Sequence, residues 1–380
     1  MSTNKKRRTQ VDRVSDLPDS LLLHILSFLP LKKAVATSLL SKRWRPLWLF
    51  LPTLHFELTS FRNIKLSVQV VDKMLNSVDL KSVKKFVLDF RCYKPPRKTS
   101  KWINTVITSK VEHLELYLSG EAVYELPSSV FIANNLRVLK LSGVTVNTLS
   151  HVDLPFLEAF HLEDVEIPDI TSLEMVLTAC PFLKELVIKF SDDVVGYHRL
   201  NIGRLNHLET AEVPQSLIPL EAFSNVKCLR LCHYPEQDMW PFSDDIPMFC
   251  NLTHLECVAD EWTEMLGSSS SPEPILDVPP CVSLHLKQFT LSGFRGSESE
   301  SEMIRFMLKN ARVLRTIYVC ESFYRSEDKL RKLQKLAASL RSGSESYSGM
   351  HEQPLNASVV SHTAGTIISK HMFVLEDIKR

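Results

Sequence analysis

The chain has 380 residues, 45 Lys and Arg against 44 Asp and Glu, a formal net charge of +1 and a hydrophobic fraction of 44%. That length accommodates two or three domains or one long repeat array, and the near-neutral charge supplies no global field for nucleic acid or an anionic membrane. Only ten residues are glycine, the residue that phosphate loops, nucleophile elbows and dinucleotide turns consume, and no G-x-G-x-x-G, P-loop, G-x-S-x-G or H-E-x-x-H motif occurs, which disfavours several large enzyme classes.

The opening MSTNKKRRTQ is basic but leads into no apolar stretch, so a secretory signal is not expected. KKRR at 5–8 fits either a nuclear import signal or a solvated basic tail. No run of about 18 apolar residues follows, so no membrane span is expected. The eight cysteines are scattered and read as reduced, mostly buried thiols. An intracellular location, nucleus and/or cytoplasm, is the expectation.

Residues 11–51 are rich in leucine and helical in period. LPDSLLLHILSFLP predicts a helix that starts near Pro18, with Asp16 or Ser15 as a candidate cap, and stops at Pro30. Leu21, Leu22, Ile25, Leu26, Phe28 and Leu29 form a wide apolar stripe on it. A short helix through Ala34, Val35 and Ser38 is predicted next, then a third from Ser41 that carries Trp44 and Trp48. Three short helices cannot bury this much apolar surface, since small domains hide only about 60% of their chain surface. Leaving a large apolar side chain exposed forgoes about 1.5–3 kcal/mol. The segment therefore reads as a helical module made to dock.

From about residue 83 to 319 an L-x-x-L-x-L-like unit recurs: VKKFVL, VEHLEL, LRVLKL, LEAFHL, LKELVI, LETAEV, VKCLRL, LTHLEC, LKQFTL and LRTIYV. The central apolar positions are Phe86, Leu114, Leu139, Phe160, Leu186, Ala211, Leu229, Leu255, Phe289 and Ile317, on average about 26 residues apart, which is a leucine-rich-repeat period. Alternation inside each unit predicts a half-buried strand. Segments such as residues 171–183 leave room for one short helix between strands. Stacked strand-plus-helix units bury a core that no single unit could bury. An ordinary parallel α/β sheet is the competing arrangement, disfavoured by ten units of one type.

GSSSSPEP at 267–274 reads as a flexible loop, residues 302–310 as a helix, and residues 314–319 as the last strand. Residues 328–340 read as an amphipathic helix. The last forty residues are polar and aperiodic until HMFVL at 371 and are expected to be disordered.

At this point a resemblance enters. LPDSLLLHILSFLP, AVATSLLSKRW and the tryptophan four residues later resemble an F-box. VPPCVSLHLKQFTLSGFRGSESESEMIRFMLKNARVLRTIYV resembles the FBD domain, and the chain to about Leu340 is similar to the plant F-box/FBD/LRR-repeat family. The tail departs from the family pattern, in which a further strand usually ends the domain. The expected architecture is of the α+β repeat class: a short three-helix F-box at 11–55 after a basic tail at 1–10, then an irregular α/β leucine-rich-repeat solenoid at 56–265. An FBD-like cap that includes the last repeats follows at 266–340, then a disordered, atypical tail at 341–380.

The resemblance implies a substrate-recognition subunit of an SCF-type cullin-RING ubiquitin ligase. The F-box would dock a Skp-type adaptor, and through it a cullin, while the repeats hold an unknown protein to be ubiquitinated. On the matching positions Leu17, Pro18, Leu21, Ile25, Leu29, Val35 and Trp44 are candidates for the adaptor interface or its support, with Leu21 and Trp44 the first to suspect of packing internally. Such a receptor is not an enzyme and needs no cofactor. The alternative is a non-catalytic repeat scaffold, nuclear or otherwise, acting outside a ligase. A hydrolase hidden in the repeats is a weaker third reading.

Between the apolar strand positions, His113, Glu115, Lys140, His161, Glu185, Lys189, Glu212, Arg230, His254 and Glu256 are expected on the open face. They are candidates for selecting a substrate, against the bland reading of a solvated β-surface. No nucleophile is placed beside His161 or His254, so neither reads as a catalytic base. Cys228, Cys232, Cys250, Cys257 and His254 imitate zinc spacing. Cys257 occupies an apolar strand slot, however, and Cys228 and Cys232 alternate positions of a neighbouring strand, so no metal is expected. The serines before Pro272 and the run at 297–302 are candidate phosphorylation sites. Asn251 and Asn356 match the glycosylation pattern, but a chain expected to be intracellular would not meet that machinery.

Overall fold

The computed structural model describes residues 14, 16–57, 64–91, 95–118, 124–190, 199–214, 217, 219–232, 249–258, 280–294, 297–321, 356–364 and 368–376. The chain divides into two units, residues 1–146 and 147–380. The basic run at 5–8, the loop at 267–274, the amphipathic segment at 328–340 and the tail stretch at 341–355 lie outside the described residues.

The first unit opens with helix α1 (Asp19–Ser27), capped by Pro18, whose fixed φ suits a helix start. The N-cap is Pro18 and makes no side-chain cap bond, so Asp16 does not have the role expected of it; Ser15 lies outside the described residues. Pro30 then begins α2 (Leu31–Ala36), which tightens into a 3₁₀ turn at Thr37–Leu39. The expected third helix is instead a set of turns followed by a four-residue 3₁₀ helix, Leu47–Phe50. Pro46 stands directly before it, and Pro52 follows two residues after, leaving no length for a full α-helix. Leu22, Leu26, Ala34, Trp44, Leu47 and Leu51 make the core of this module, with Leu17, Leu23, Leu31 and Trp48 packed partly against it. Arg43 clasps the start of α1, donating to Asp19 at 2.7 Å and to the carbonyl of Leu17.

Strands β1 (Thr53–Glu57), β2 (Lys85–Asp89), β3 (His113–Tyr117) and β4 (Val138–Ser142) complete that unit, all parallel and in chain order. Helices α3 (Ile64–Leu75) and α4 (Thr99–Thr108) lie between them in sequence. Their register sets Leu54, Phe86, Leu114 and Leu139 in one buried column. A one-residue slip would turn every such side chain to water, which is why the alternation fixes the register.

The second unit repeats the device with β5 (Ala159–Glu163), β6 (Glu185–Lys189), β7 (Thr210–Pro214), β8 (Cys228–Cys232), β9 (His254–Val258), β10 (Gln288–Phe294) and β11 (Thr316–Glu321). These are also parallel neighbours in order. Phe160, Leu186, Ala211, Leu229, Leu255, Phe289 and Ile317 form its buried column. Helices α5 (Ile170–Thr178), α6 (Pro280–Leu284) and α7 (Glu298–Asn310) serve individual repeats. Helix α7 begins one turn before the expected start at 302. The cause is a capping box, in which Ser297 Oγ accepts from the Glu300 N–H and the Glu300 carboxylate accepts from the Ser297 N–H at 2.8 Å. Ser301 is buried in that first turn, which argues against it as a modification site.

The end of the chain corrects the expectation of disorder. β12 (Asn356–Ala364) and β13 (Ile368–Glu376) are antiparallel, and β13 pairs with β11. The surrounding Ser and Gly residues dilute any window average, and neither SVV nor MFVL shows the polar/apolar alternation that marks a strand.

Candidate docking surfaces

Two surfaces carry the residues singled out from sequence. The first is the outward side of the N-terminal helices. Helix α1 is apolar on two sides: Leu22 and Leu26 face the core, whereas Leu21 (48% exposed), Ile25 (41%) and Phe28 (74%) face water. Each set follows the i, i+4 spacing that brings side chains together on a helix. The Phe28 ring meets His24 edge-on at 4.8 Å. Leu29 is partly exposed, and Leu39 (87%) and Leu40 (69%) stand almost free at the end of the following turn.

The seven adaptor candidates therefore divide. Pro18, Leu21, Ile25 and Leu29 are open to solvent, Leu17 and Val35 are half-buried, and Trp44 belongs to the core. The suspicion of internal packing holds for Trp44 and fails for Leu21. Phe28, Leu39 and Leu40 are the most open apolar side chains of the module and were not singled out. Phe28 lies seven residues after Leu21 on the same stripe, which is the signal that marks it.

The second surface is the open side of the strands. All ten polar candidates lie on strands: His113 and Glu115 on β3, Lys140 on β4, His161 on β5, Glu185 and Lys189 on β6, Glu212 on β7, Arg230 on β8, His254 and Glu256 on β9. In the second unit they knit into a ladder. Lys189 Nζ lies 3.2 Å from Glu163 and 3.4 Å from Glu212. Arg230 reaches Glu212 at 3.3 Å and Glu256 at 3.5 Å, and Ser292 donates to Glu256 at 2.7 Å. His161 Nε2 sits 3.0 Å from Glu185. Burial opposes the charge on Lys189, but Glu212 and Glu163 outweigh it and raise its pKa. A groove of about 220 Å³ crosses this region, lined among others by Glu185, Thr210, Cys228, Arg230, His254 and Thr290.

In the first unit Lys85, not foreseen, donates to Glu115 at 2.6 Å, and the Tyr117 hydroxyl donates to the same carboxylate at 3.3 Å. Burial works against ionisation of Glu115, yet Lys85 and Lys140 prevail and hold its pKa below the usual carboxylate value. Arg91 stacks over the Tyr117 ring at 4.7 Å and bonds Asp89 at 3.1 Å. Lys85 holds the same repeat position as His113, opposite which it lies, and Glu163 sits at a strand end just past the repeated motif.

Of the described cysteines, Cys180, Cys257 and Cys281 are buried, Cys228, Cys232 and Cys320 are half-buried and Cys250 is exposed, fewer buried thiols than expected from the sequence. Burial pushes the Cys180 and Cys257 thiols up to about 12, so neither supplies thiolate near neutral pH. Among the described residues no group of three or more His, Cys, Asp or Glu is arranged to hold a metal ion. Among them, too, no helix is long and apolar enough to cross a membrane.

Known families match this layout piece by piece. The F-box domain matches residues 14–55, the LRR repeats of FBD-associated F-box protein At5g56370 match residues 99–234, and FBD matches residues 273–318. The chain belongs to the F-box/FBD/LRR-repeat proteins. It is 38% identical over 180 residues to the putative FBD-associated F-box protein At5g53635 of Arabidopsis thaliana, across 46% of this chain and 42% of that one. F-box/LRR-repeat protein 13 of the same plant is 36% identical across 50% of this chain and 44% of its own. F-box/FBD/LRR-repeat protein At4g26340 is 28% identical across 86% of this chain and 97% of its own. The chain thus spans less than half the length of the first two relatives and nearly all of the third. In this F-box/FBD/LRR-repeat chain the open apolar helix surface is that of the F-box, and the strand ladder of the second unit begins in the matched repeats.

Proposed function

We propose that this F-box/FBD/LRR-repeat protein is the substrate-recognition subunit of an SCF-type ubiquitin ligase. Its F-box, taken as residues 11–55, docks a Skp-type adaptor and through it a cullin. The repeats, taken as residues 56–265 and stacked as a solenoid, together with the FBD-like region at 266–340, hold the protein to be ubiquitinated. The observation that carries this reading is the open apolar side of α1 and the turn after it. Leu21, Ile25, Phe28, Leu39 and Leu40 are exposed on a module whose own core is already full. Covering a fully open side chain of this size recovers about 1.5–3 kcal/mol, and the half-covered Leu21 and Ile25 proportionally less.

The chain itself is proposed to be non-catalytic. It raises the effective concentration of substrate lysines beside a charged conjugating enzyme, so its contribution is proximity and not a covalent step. The strand face supports a selecting role through its fixed pattern of charge: Glu163, Lys189, Glu212, Arg230 and Glu256 hold one another in place, so a partner meets preorganised groups.

The test is calorimetric titration of a purified Skp-type adaptor into the full chain and into a Leu21→Asp/Ile25→Asp variant. These positions are better than Leu17, which packs against the core and would confound binding with folding. Submicromolar binding that the variant loses, with an unchanged melting temperature, supports the receptor. Absence of binding by folded wild-type protein would favour the scaffold reading.

A further inference from the structure

Where the chain enters each strand, the residue just before the first strand position forms a column of its own, tied by backbone hydrogen bonds. In the first unit the column is Pro52, Lys84, Glu112 and Arg137. In the second it runs Glu158, Lys184, Glu209, Lys227, Thr253, Lys287 and Arg315, each N–H donating to the carbonyl of the residue before it in the column at 2.8–2.9 Å. Charge alternates strictly along Lys84, Glu112 and Arg137 in one unit and along Glu158, Lys184, Glu209 and Lys227 in the other. Lys84 meets Glu112 at 2.6 Å, Lys184 meets Glu158 at 2.7 Å and Lys227 meets Glu209 at 2.8 Å. Opposite charges facing across neighbouring strands stabilise a sheet, and like charges there destabilise it.

The alternation fails in the last repeats. Thr253 is neutral, and Lys287 and Arg315 are adjacent like charges, both exposed. Arg312 is exposed beside them, with its N–H bonded to the carbonyl of Ser283. The strand-entry segments 249–253, 280–287 and 309–315 contain no Asp or Glu, while they hold Lys287, Lys309, Arg312 and Arg315. The ion pairs of the described side chains include none to Lys287, Arg312 or Arg315. Two apolar side chains flank the cluster in the open, Leu284 (54% exposed) and Val313 (40%).

We propose that this strand-entry rim, centred on Lys287, Arg312 and Arg315, docks an acidic segment of a partner protein that also presents apolar side chains. The cations supply the charge complementarity, and Leu284 and Val313 supply the contact a purely electrostatic encounter lacks. Nucleic acid fits less well. The net charge is only +1, so no wide basic field surrounds the cluster, and exposed leucine and valine offer nothing to a phosphate backbone. The site is separate from the F-box and from the strand ladder, so the proposal stands without the ligase reading.

The test uses the full chain and needs no adaptor. A fluorescein-labelled peptide of repeated Glu-Glu-Leu is titrated at low ionic strength and followed by anisotropy, beside a Gln-Gln-Leu counterpart and a single-stranded oligonucleotide. The acidic peptide should bind with an affinity that falls as salt rises. Lys287→Glu/Arg315→Glu should weaken it at least about tenfold, and Lys184→Gln/Lys227→Gln, which alters only the paired part of the column, by less than about threefold. Lys287→Gln/Arg315→Gln serves as the second variant should charge reversal impair folding, judged by thermal melting. Three outcomes overturn the proposal: no binding of the acidic peptide by wild type, equal loss in the Lys287/Arg315 and Lys184/Lys227 double variants, or tighter oligonucleotide binding that depends on Lys287 and Arg315. A fourth concerns the chain's own end, since Glu376 lies opposite Thr316 in the β11–β13 register. Binding that appears only in Glu376→Gln would mean that the C-terminal strand fills the rim, and would overturn it as well.

Discussion

The F-box helices and the strand face of the second unit both show side chains to water, but they settle the cost differently. On α1 the open residues are Leu21, Ile25 and Phe28, apolar groups with no partner in the chain's own core. On the strands the open residues are Lys189, Glu212, Arg230 and Glu256, charges that neutralise one another in sequence. An apolar surface gains free energy from any well-fitting cover, so it drives association. A paired polar surface gains little net affinity from being covered and acts through specificity. The difference teaches that strong, constant docking is expected of the helices and selective docking of the strands.

The largest effects should separate folding from docking on one helix. Leu22→Ala removes a fully buried side chain and should cost about 2–5 kcal/mol of stability, read by denaturant unfolding. Its neighbours Leu21 and Ile25, changed to Asp, should leave the melting temperature within about 2 °C, the mark of a surface change, while abolishing adaptor binding. If Leu21→Asp/Ile25→Asp unfolds the module instead, the outward side of α1 is structural and the contrast fails.

In the repeats, Leu229→Ala should cost a comparable amount, about 2–5 kcal/mol, because Leu229 sits in the buried column between Ala211 and Leu255. Arg230, one residue on and facing the other way, should matter far less. Arg230→Met should cost about 0.5–1 kcal/mol, the range of partly exposed ion pairs. A double-mutant cycle with Glu212→Gln should assign most of that to their contact. A larger coupling would mean that the ladder is a structural element and not a recognition surface.

The smallest effects are in pH dependence, and they have opposite signs in the two units. Glu115 has a pKa held below its ordinary 4.5, so its contribution is full above that value and is lost as pH falls through the depressed one. Lys189 has a pKa raised above its ordinary 10.5, so its contribution is full below that value and is lost as pH rises through the raised one. Melting curves of Glu115→Gln should flatten on the acid side of pH 4.5, and those of Lys189→Met on the alkaline side of pH 10.5. An unchanged acid limb in Glu115→Gln would mean that Lys85 and Lys140 do not stabilise its charge.

Most of the architecture was legible because it rests on short-range periodicity. Most strands carry their own alternation, although β2 and β6 bury three residues in a row, and the central residues Phe86, Leu114, Leu139, Phe160, Leu186 and Leu229 all fall in buried columns. Helix α7 started early because a capping box at Ser297 and Glu300 recruits an extra turn, a local signal present in the sequence but set against a polar run. The 3₁₀ ending of the F-box follows from Pro46 and Pro52, which the sequence shows, whereas the strands at 356–364 and 368–376 depend on what they pair against.

What the sequence alone determined is therefore the succession of modules and the period of the repeats: an apolar stripe at helical spacing, then ten alternating units about 26 residues apart. What only the tertiary structure decided is which of two apolar sides of α1 meets the core, and which charges meet across strands. Leu21 and Leu22 are neighbours of the same residue type, yet one is 48% exposed and the other fully buried. Glu212 has its two cations 23 residues before it and 18 after it in the chain. Periodicity is a property of one segment and can be read from it. Partnership is a property of two, and it exists only once the fold has brought them to within hydrogen-bonding distance.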